Sequence, residues 1–433
     1  MVNTVRRGAA AGLPPQEIMA SCLLPAVEHG VGAQASGIQR KKAPPAAELT
    51  GPAGEPTSRQ ASLRVVAITR GVGRPGCLTT DERWSWWRET LGSPRYCCAP
   101  MVLQSELAFR MLVRRHGSTL CYTPMLPAQA FLSLPAAGEP VAPATGGPAT
   151  REAYFSTCEA DRPLLAQLGG SEPAQMLAAA LLVQHRVDGV DINFGCPQAC
   201  ARNGGYGAFL LEQPERARAI VDALVGGLSV PVTAKIRILP KLEETIAFAQ
   251  MLEDAGVAAV AVHGRRREQR HHEGQADTEA IAAVKAALRI PVISNGNVAT
   301  QADAEAMLAA TGADCVMSAK ALLANPRLFG GSACGGTGHA ELPSAHERAG
   351  MALEYLECCR GYPDGVLPRM ISEHLVEILR PDLERPFNAQ ESKEIRAHRK
   401  TTRLAQFVSL VRRVQANGSY ERTRAMSARA GKA

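Results

Sequence analysis

Asp191-Ile192-Asn193-Phe194-Gly195-Cys196-Pro197, followed by Gly204-Gly205-Tyr206-Gly207-Ala208, is the stretch on which the reading of the fold turns. The apolar run from Val187 to Ile192, interrupted by Asp188 and Gly189, reads as a strand that ends in the polar Asn193. A Gly-Cys-Pro turn and a glycine-rich loop follow, and a helix is signalled near Gln213-Pro214-Glu215. Strand, loop, helix is the repeating unit of an α/β protein. A thiol framed by Gly and Pro at a strand mouth is placed for chemistry. A lone cysteine is also a common buried structural residue. On this segment alone both readings stand.

The same unit recurs on both sides. Strands are expected at Arg95–Met101, Thr119–Tyr122, Leu164–Leu168, Gly189–Asn193, Val230–Ile236, Ala258–His263, Pro291–Ser294 and Ala313–Met317. Helical stretches lie between most of them: Glu106–Arg115, Pro173–Gln184, Pro214–Leu224, Leu242–Ala255, Thr278–Ala287 and Ala302–Ala310. Eight parallel strands with crossover helices predict an α/β fold of the (β/α)8 TIM-barrel type over residues 84–335. Leu134 to Thr150, rich in Pro, Ala and Gly, reads as a surface loop after strand two. From Pro343 the pattern turns helical, with candidates Glu347–Arg360, Leu367–Leu379 and Asn388–Val414, so a small helical C-terminal domain is expected at 336–416. Residues 417–433 read as a frayed basic tail. Residues 1–83, rich in Ala, Gly, Pro and Ser, read as a disordered extension. The extension is basic, as organelle-targeting segments are, but Glu17 and Glu28 intrude and no clean amphipathic arginine helix forms.

Charge is unevenly placed. The chain of 433 residues carries a formal +7, yet residues 391–433 hold about +8 and residues 1–80 about +5, which leaves an acidic middle. An acidic body with a basic end suits a polyanionic partner. Twelve scattered cysteines without zinc spacing suggest reduced thiols, an intracellular compartment and no structural metal. No apolar run approaches the roughly 20 residues of a membrane span. The expectation is a monomer without metal or membrane, cytoplasmic or nuclear unless the N-terminal extension redirects it.

Barrel active sites are built from the C-terminal ends of the strands. Here those ends read Ala99-Pro100-Met101-Val102, Gln167-Leu168-Gly169, Asn193-Phe194-Gly195-Cys196, Lys235-Ile236-Arg237, His263-Gly264-Arg265, Asn295-Gly296-Asn297 and Ser318-Ala319-Lys320. His263 or Gln167 alone would be an ordinary polar residue; seven mouths in register are hard to assign to packing. Asn295-Gly296-Asn297 offers a tight turn with backbone N–H groups, and Ala319-Lys320 opens a helix, so N–H groups and a cation converge on one anion. Gln167, Lys235 and His263 can address a polar ring system, with Pro100, Met101 and Val102 against its face. That combination suits flavin mononucleotide (FMN).

These residues also carry a family resemblance. Ser93-Pro94-Arg95-Tyr96, Ala99-Pro100-Met101, Cys121-Tyr122-Thr123-Pro124-Met125, Asp191 to Pro197, Lys235-Ile236-Arg237, Val262-His263-Gly264-Arg265 and Asn295-Gly296-Asn297 together resemble the tRNA-dihydrouridine synthases. Gly195-Cys196-Pro197-Gln198, Tyr206-Gly207-Ala208-Phe209-Leu210 and Val316-Met317-Ser318-Ala319 are similar to the eukaryotic branch acting on D-loop positions 16 and 17. The likeness runs from about Trp84 to Tyr362. It implies an FMN barrel, a helical tRNA-binding domain, and reduction of a uridine C5–C6 double bond. NADPH or NADH is then the reductant, hydride goes to C6, and Cys196 delivers the proton to C5 while Asn193 orients the base. A base handled by a buried flavin must be flipped out of the RNA. Expected RNA contacts are Arg265 at the rim and Arg396, Arg399, Lys400 and Arg403 on the basic helix, whose bland alternative is a solvated amphipathic face. Leu103 departs from the family pattern where relatives often carry Asp; Pro127-Ala128-Gln129 and Thr278 depart as well. Two rivals are a small-molecule FMN reductase, which needs no basic tail, and an RNA-binding protein with an inert barrel.

Overall fold

The computed structural model describes residues 77–136, 150–269, 273–330, 343–397 and 403–430. Eight strands form the barrel: β1 Tyr96–Cys98, β2 Leu120–Tyr122, β3 Leu164–Gly169, β4 Gly189–Phe194, β5 Val232–Arg237, β6 Ala259–His263, β7 Val292–Asn295 and β8 Cys315–Ser318. Every neighbouring pair is parallel. β1 pairs with β8 through Cys97↔Met317, and β2 pairs with β3 through Cys121↔Leu164, so the sheet closes on itself. A two-residue strand, Leu126–Pro127, adds to the rim beside β3. The helices Leu107–Arg115, Pro173–Val183, Pro214–Gly227, Leu242–Asp254, Thr278–Ala287 and Gln301–Thr311 are the crossovers, as the periodicity predicts. Between β2 and β3 stand two short helices instead, Ala128–Ser133 and Arg151–Tyr154.

The period-2 alternation of each strand sorts side chains into two cores. Val190, Ile192 and Phe194 of β4, Val232, Ala234 and Ile236 of β5, and Val260 and Val262 of β6 face the helices. Cys97, Tyr122, Leu165, Ala259, Ala261, Ile293, Cys315 and Met317 fill the barrel interior. Trp86 and Trp87 belong to that interior core, both under 5% exposed. The Trp86 indole donates to the Asp188 carbonyl just before β4, so the pair floors the barrel at its N-terminal end. Order therefore begins earlier than the expected boundary at 84. Thr79 caps the helix Thr80–Ser85 in a reciprocal pairing with Glu82, and the chain runs from there into the floor.

Of the C-terminal helices, Ala345–Gly361 packs onto the barrel helix Leu107–Arg115, Pro368–Ile378 and Leu404–Ala430 pack on Ala345–Gly361, and Ala389–Ala397 packs on those two. Their apolar residues, among them Tyr355, Leu375 and Phe407, join the outer core without a break. One polar group crosses this junction. The carboxylate of Glu106, 3% exposed, accepts from the Tyr355 hydroxyl at 2.7 Å and pairs with His374 Nε2 at 3.0 Å. Burial pushes the Glu106 carboxyl up, but His374, Tyr355 and its own backbone N–H together hold it below its ordinary value of 4.5. The single helix expected over 388–414 is corrected. Arg413 forms an ion pair with Glu391 at 3.2 Å, whereas one straight helix would hold them about 33 Å apart. Two separate helices, Ala389–Ala397 and Leu404–Ala430, pack against each other, and Ile395 and Phe407 both reach the core. The frayed tail expected from 417 is instead helical through Ala430. Residues 1–76, the expected loop at 137–149, and Arg399 and Lys400 lie outside the described residues.

Removing one member of a buried ion pair leaves the other uncompensated. Glu106→Ala should therefore lower the unfolding free energy by about 3–5 kcal/mol, and Tyr355→Phe by about 1–3 kcal/mol, measured by denaturant unfolding at pH 7. The sign with pH follows from the depressed carboxyl: its contribution is present above about 4.5 and is lost as pH falls through its lowered folded value.

Candidate active site

Where β3, β4 and β5 end, the inward residues form a chain of hydrogen bonds. Asp191, fully buried on β4, accepts from Thr233 Oγ1 at 2.7 Å and from Gln167 Nε2 at 2.8 Å. That contact fixes the Gln167 amide, so Gln167 Oε1 accepts from Asn193 Nδ2 at 3.0 Å. Asn193 is fixed in turn, and its Oδ1 accepts from the backbone N–H of Gly195 and of Cys196, at 3.0 and 2.9 Å. The half-buried thiol of Cys196 thus stands on a turn anchored to the barrel interior. Asn193, expected to orient a base, spends its hydrogen bonds on the protein here: its Nδ2 meets Gln167 and the Met125 sulfur, and its Oδ1 holds the cysteine turn. Burial lifts the Asp191 carboxyl to about 6, against the pull of Gln167, Thr233 and Lys235.

The other half of the mouth is cationic. Lys235 Nζ donates to Asn295 Oδ1 at 2.8 Å. Arg237 Nε donates to the Gly195 carbonyl at 2.8 Å. Arg265, expected at the RNA-facing rim, is only 7% exposed. Its guanidinium turns inward to His263 Nε2, the Gly274 carbonyl and Asn297 Oδ1. Among the described residues Arg265 Nε is buried without a partner. The described hydrogen bonds of the three cations run to amide and carbonyl oxygens and to the His263 imidazole, while the Asp191 and Glu268 carboxylates act through space on Lys235 and Arg237. Burial and Arg237 lower Lys235 to about 8, and burial with Lys235, Arg237 and Arg265 depresses His263 to about 2. A neutral imidazole beside three clustered cations makes this side of the mouth electropositive and favourable to an anionic ligand.

Loop seven supplies the cradle. Gly296 has φ +129°, and a Cβ there would meet the Ala276 Cβ at 2.5 Å. Asn297, at φ +55°, receives Ala276 N–H and Arg265 on its Oδ1 and donates to the Ala276 carbonyl. Its side chain therefore shapes the loop, leaving backbone to face a ligand. Ala319 and exposed Lys320 follow β8 and open the helix Lys320–Ala324 beside it. Pro100, Met101 and Val102, half-buried at the mouth of β1, complete the ring of sites. Leu103 sits at φ +61°, a conformation that Asn, Asp and Gly adopt more readily, and its side chain packs on Met370 of the helical domain. Pro124 and Val102 with Tyr154, Phe155 and Met370 line a small cleft at that junction. Of the basic-helix residues, Arg396 and Arg403 are exposed, as are Lys393 and Arg412.

A parallel barrel with an anchored thiol facing an anion-binding cradle is the class of protein that fold and site define. The family model described as "Dihydrouridine synthase (Dus)" matches residues 97–409, most of the chain. The chain belongs to the dihydrouridine synthase family. It is 42% identical over 283 residues to "tRNA-dihydrouridine(16/17) synthase [NAD(P)(+)]-like" of Mus musculus, covering 65% of this chain and 55% of that protein. Identity to "tRNA-dihydrouridine(20a/20b) synthase [NAD(P)+]-like" of Homo sapiens is 39% over 237 residues, 54% of this chain and 70% of that one. An uncharacterised tRNA-dihydrouridine synthase-like protein of Caenorhabditis elegans is 33% identical over 294 residues, 67% of this chain and 92% of that one. The chain spans little more than half the length of the mouse protein.

The raised Asp191 carboxyl has a measurable sign. A folded value of about 6 against an ordinary 3.8 means that this group's contribution is complete below 3.8 and is lost as pH rises through 6. Between pH 5 and pH 7 the wild type should lose about 1 kcal/mol of unfolding free energy from this group. Asp191→Asn should show none of that loss in denaturant titrations at the two pH values.

Proposed function

We propose that the chain reduces the C5–C6 double bond of a uridine in the D-loop of tRNA, with FMN in the barrel mouth and NADPH or NADH as the reductant. The observation that carries this reading is the presence in one mouth of an anchored thiol and a cluster of cations, Lys235, Arg237 and Arg265. FMN fits the residues present. Its phosphate suits the backbone of Asn295-Gly296-Asn297 and the start of the helix at Ala319-Lys320. Lys235, His263 and Gln167 border its ring system, and the half-buried Pro100, Met101 and Val102 present an apolar face. When bound, the flavin supplies hydride to C6 of the base. The protein's part is the rest. Cys196 donates the proton to C5, and the thiolate left behind recovers a proton from solvent. Lys235 and Arg237, close enough to interact with the Cys196 charge, stabilise that thiolate. The Asp191–Gln167–Asn193 chain keeps the turn fixed while the proton leaves.

RNA binding fits the exposed Lys393, Arg396, Arg403 and Arg412, with Arg399 and Lys400 in the intervening segment. Arg413 is engaged by Glu391 and Glu394 and contributes less. Contacts of this type hold phosphate and set affinity without reading sequence. Positions 16 and 17 are favoured as targets by the likeness to the mouse tRNA-dihydrouridine(16/17) synthase-like protein.

Dihydrouridine content of tRNA treated with the purified protein tests the reading. Cys196→Ala should retain bound flavin that NADPH still reduces, while uridine reduction falls by about 10²–10⁴-fold. Full activity in that variant would remove Cys196 from the reaction. Gly296→Ala should lower flavin content, read by absorbance of the purified protein, because the added methyl closes the backbone approach. Lys320→Ala should lower it only modestly.

A further inference from the structure

Cys196 is held from one side by Asn193 and Arg237, and the opposite side is closed by the glycine-rich loop. Ala208 N–H donates to the Cys196 carbonyl at 3.0 Å. Gly207 lies against the same residue at φ +66°; a Cβ there would stand 2.6 Å from the Cys196 carbonyl oxygen, 3.1 Å from the Cys196 Cβ and 3.3 Å from the Ala201 Cβ. The loop cannot retreat to make room. Tyr206, 3% exposed, is wedged behind it, with its hydroxyl 3.6 Å from the Cys200 sulfur and its backbone N–H on the Ala201 carbonyl. The far edge of that ring meets Gly169 at the end of β3, where a Cβ would lie 3.1 Å from Tyr206 Cε2. The Ser171 hydroxyl fastens the loop once more, at the Gly204 carbonyl. Any atom added at position 207 must therefore displace Cys196, whose main chain is the wall it meets.

We propose that Gly207 is a positioning residue for the Cys196 thiol: the missing side chain, backed by the Tyr206 wedge, sets how far the cysteine turn projects into the barrel mouth. This rests on the reading of Cys196 as the proton donor. Gly205 supplies a matched control within the same loop. It has φ +64°, yet a Cβ there would meet only Ser171, at 4.0 Å. The two glycines share a positive φ, +64° and +66°, and differ in whether a Cβ touches the cysteine. Substituting both by the same residue offsets the cost of positive φ and leaves the contact.

The experiment compares Gly205→Ala with Gly207→Ala, and Gly205→Asn with Gly207→Asn, in the full-length flavoprotein. Asn accepts positive φ at little cost, so the second pair keeps the comparison open if the alanine variant at 207 does not fold. Three rates are read: flavin reduction by NADPH, reoxidation of the reduced protein by tRNA in a single turnover, and iodoacetamide alkylation of Cys196 located by peptide mass. The 207 variants should slow reoxidation by about 10²-fold, the loss typical of a misplacement near 1 Å. They should also shift the alkylation rate of Cys196, while NADPH reduction and tRNA affinity stay within about twofold of wild type, as a positioning role requires. The 205 variants should leave all of these near wild type. Equal losses at 205 and 207, or wild-type reoxidation in both 207 variants, would overturn the proposal. A wild-type protein that does not reduce uridine would overturn the reading beneath it instead. In that case the alkylation contrast between 205 and 207 still reports whether Gly207 sets the position of the thiol.

Discussion

Each barrel strand presents alternate side chains to the interior, and a closed interior has no solvent to satisfy a polar group. That constraint shapes the site. Asp191 points inward between Val190 and Ile192, and burial alone would make it costly. Thr233 and Gln167, inward on the neighbouring strands at the same level, supply the donors. Satisfying Asp191 orients Gln167, which orients Asn193, which fixes the Cys196 turn. One buried carboxylate thereby transmits the rigidity of the sheet to a loop outside it.

Charge is partitioned by the same geometry. The mouth contains Lys235, Arg237 and Arg265 near His263, while Asp191 lies below them in the interior. The described hydrogen bonds of these cations run to amide and carbonyl oxygens and the His263 imidazole, and Asp191 and Glu268 act on Lys235 and Arg237 only through space, so a net positive field remains in surroundings of low dielectric where it acts strongly. Arg265 shows how costly this is. A 7% exposed guanidinium with an unpartnered Nε is unfavourable in isolation, and its two other nitrogens are used to stitch His263, Gly274 and Asn297 together.

The strands and crossover helices were legible because period and length agree with the architecture. Thr278–Ala287 has the bounds that the pattern predicts, and most strand mouths fall where a polar residue follows an apolar run. What escaped the reading depends on contacts between distant residues. The capped helix Thr80–Ser85 begins within the stretch read as a disordered extension, and its order depends on the barrel closing above Trp86 and Trp87. Arg265 follows a strand and reads as a rim residue; its inward partners, Gly274 and Asn297, are not announced by anything adjacent in the sequence. Nor does anything local indicate that Gln167, 26 residues before Asn193, faces its amide. The division into the helices Ala389–Ala397 and Leu404–Ala430 was hidden by a helical periodicity that continues in both.

The junction between barrel and helical domain shows what a polar contact adds to an apolar one. The helix Ala345–Gly361 adheres to Leu107–Arg115 through side chains such as Phe109, Leu356 and Tyr355. Such a face tolerates sliding, because apolar contact has little direction. Glu106 does not tolerate it. Its two oxygens meet donors from two different helices, the Tyr355 hydroxyl and His374, and any shift would strand a buried charge. His374 is held between the Phe109 and Tyr355 rings, each centroid 4.5 Å away, so the ion pair and the ring packing specify the same register. Glu106 also begins the barrel helix that follows the Met101–Ser105 turn, and Leu103 in that turn packs on Met370. The helical domain is therefore fixed to the loop at the mouth of β1 by one ionic and one apolar contact, two residues from Met101. The exposed cations of the C-terminal helices and the cradle in the barrel mouth share one frame because this junction leaves them no other.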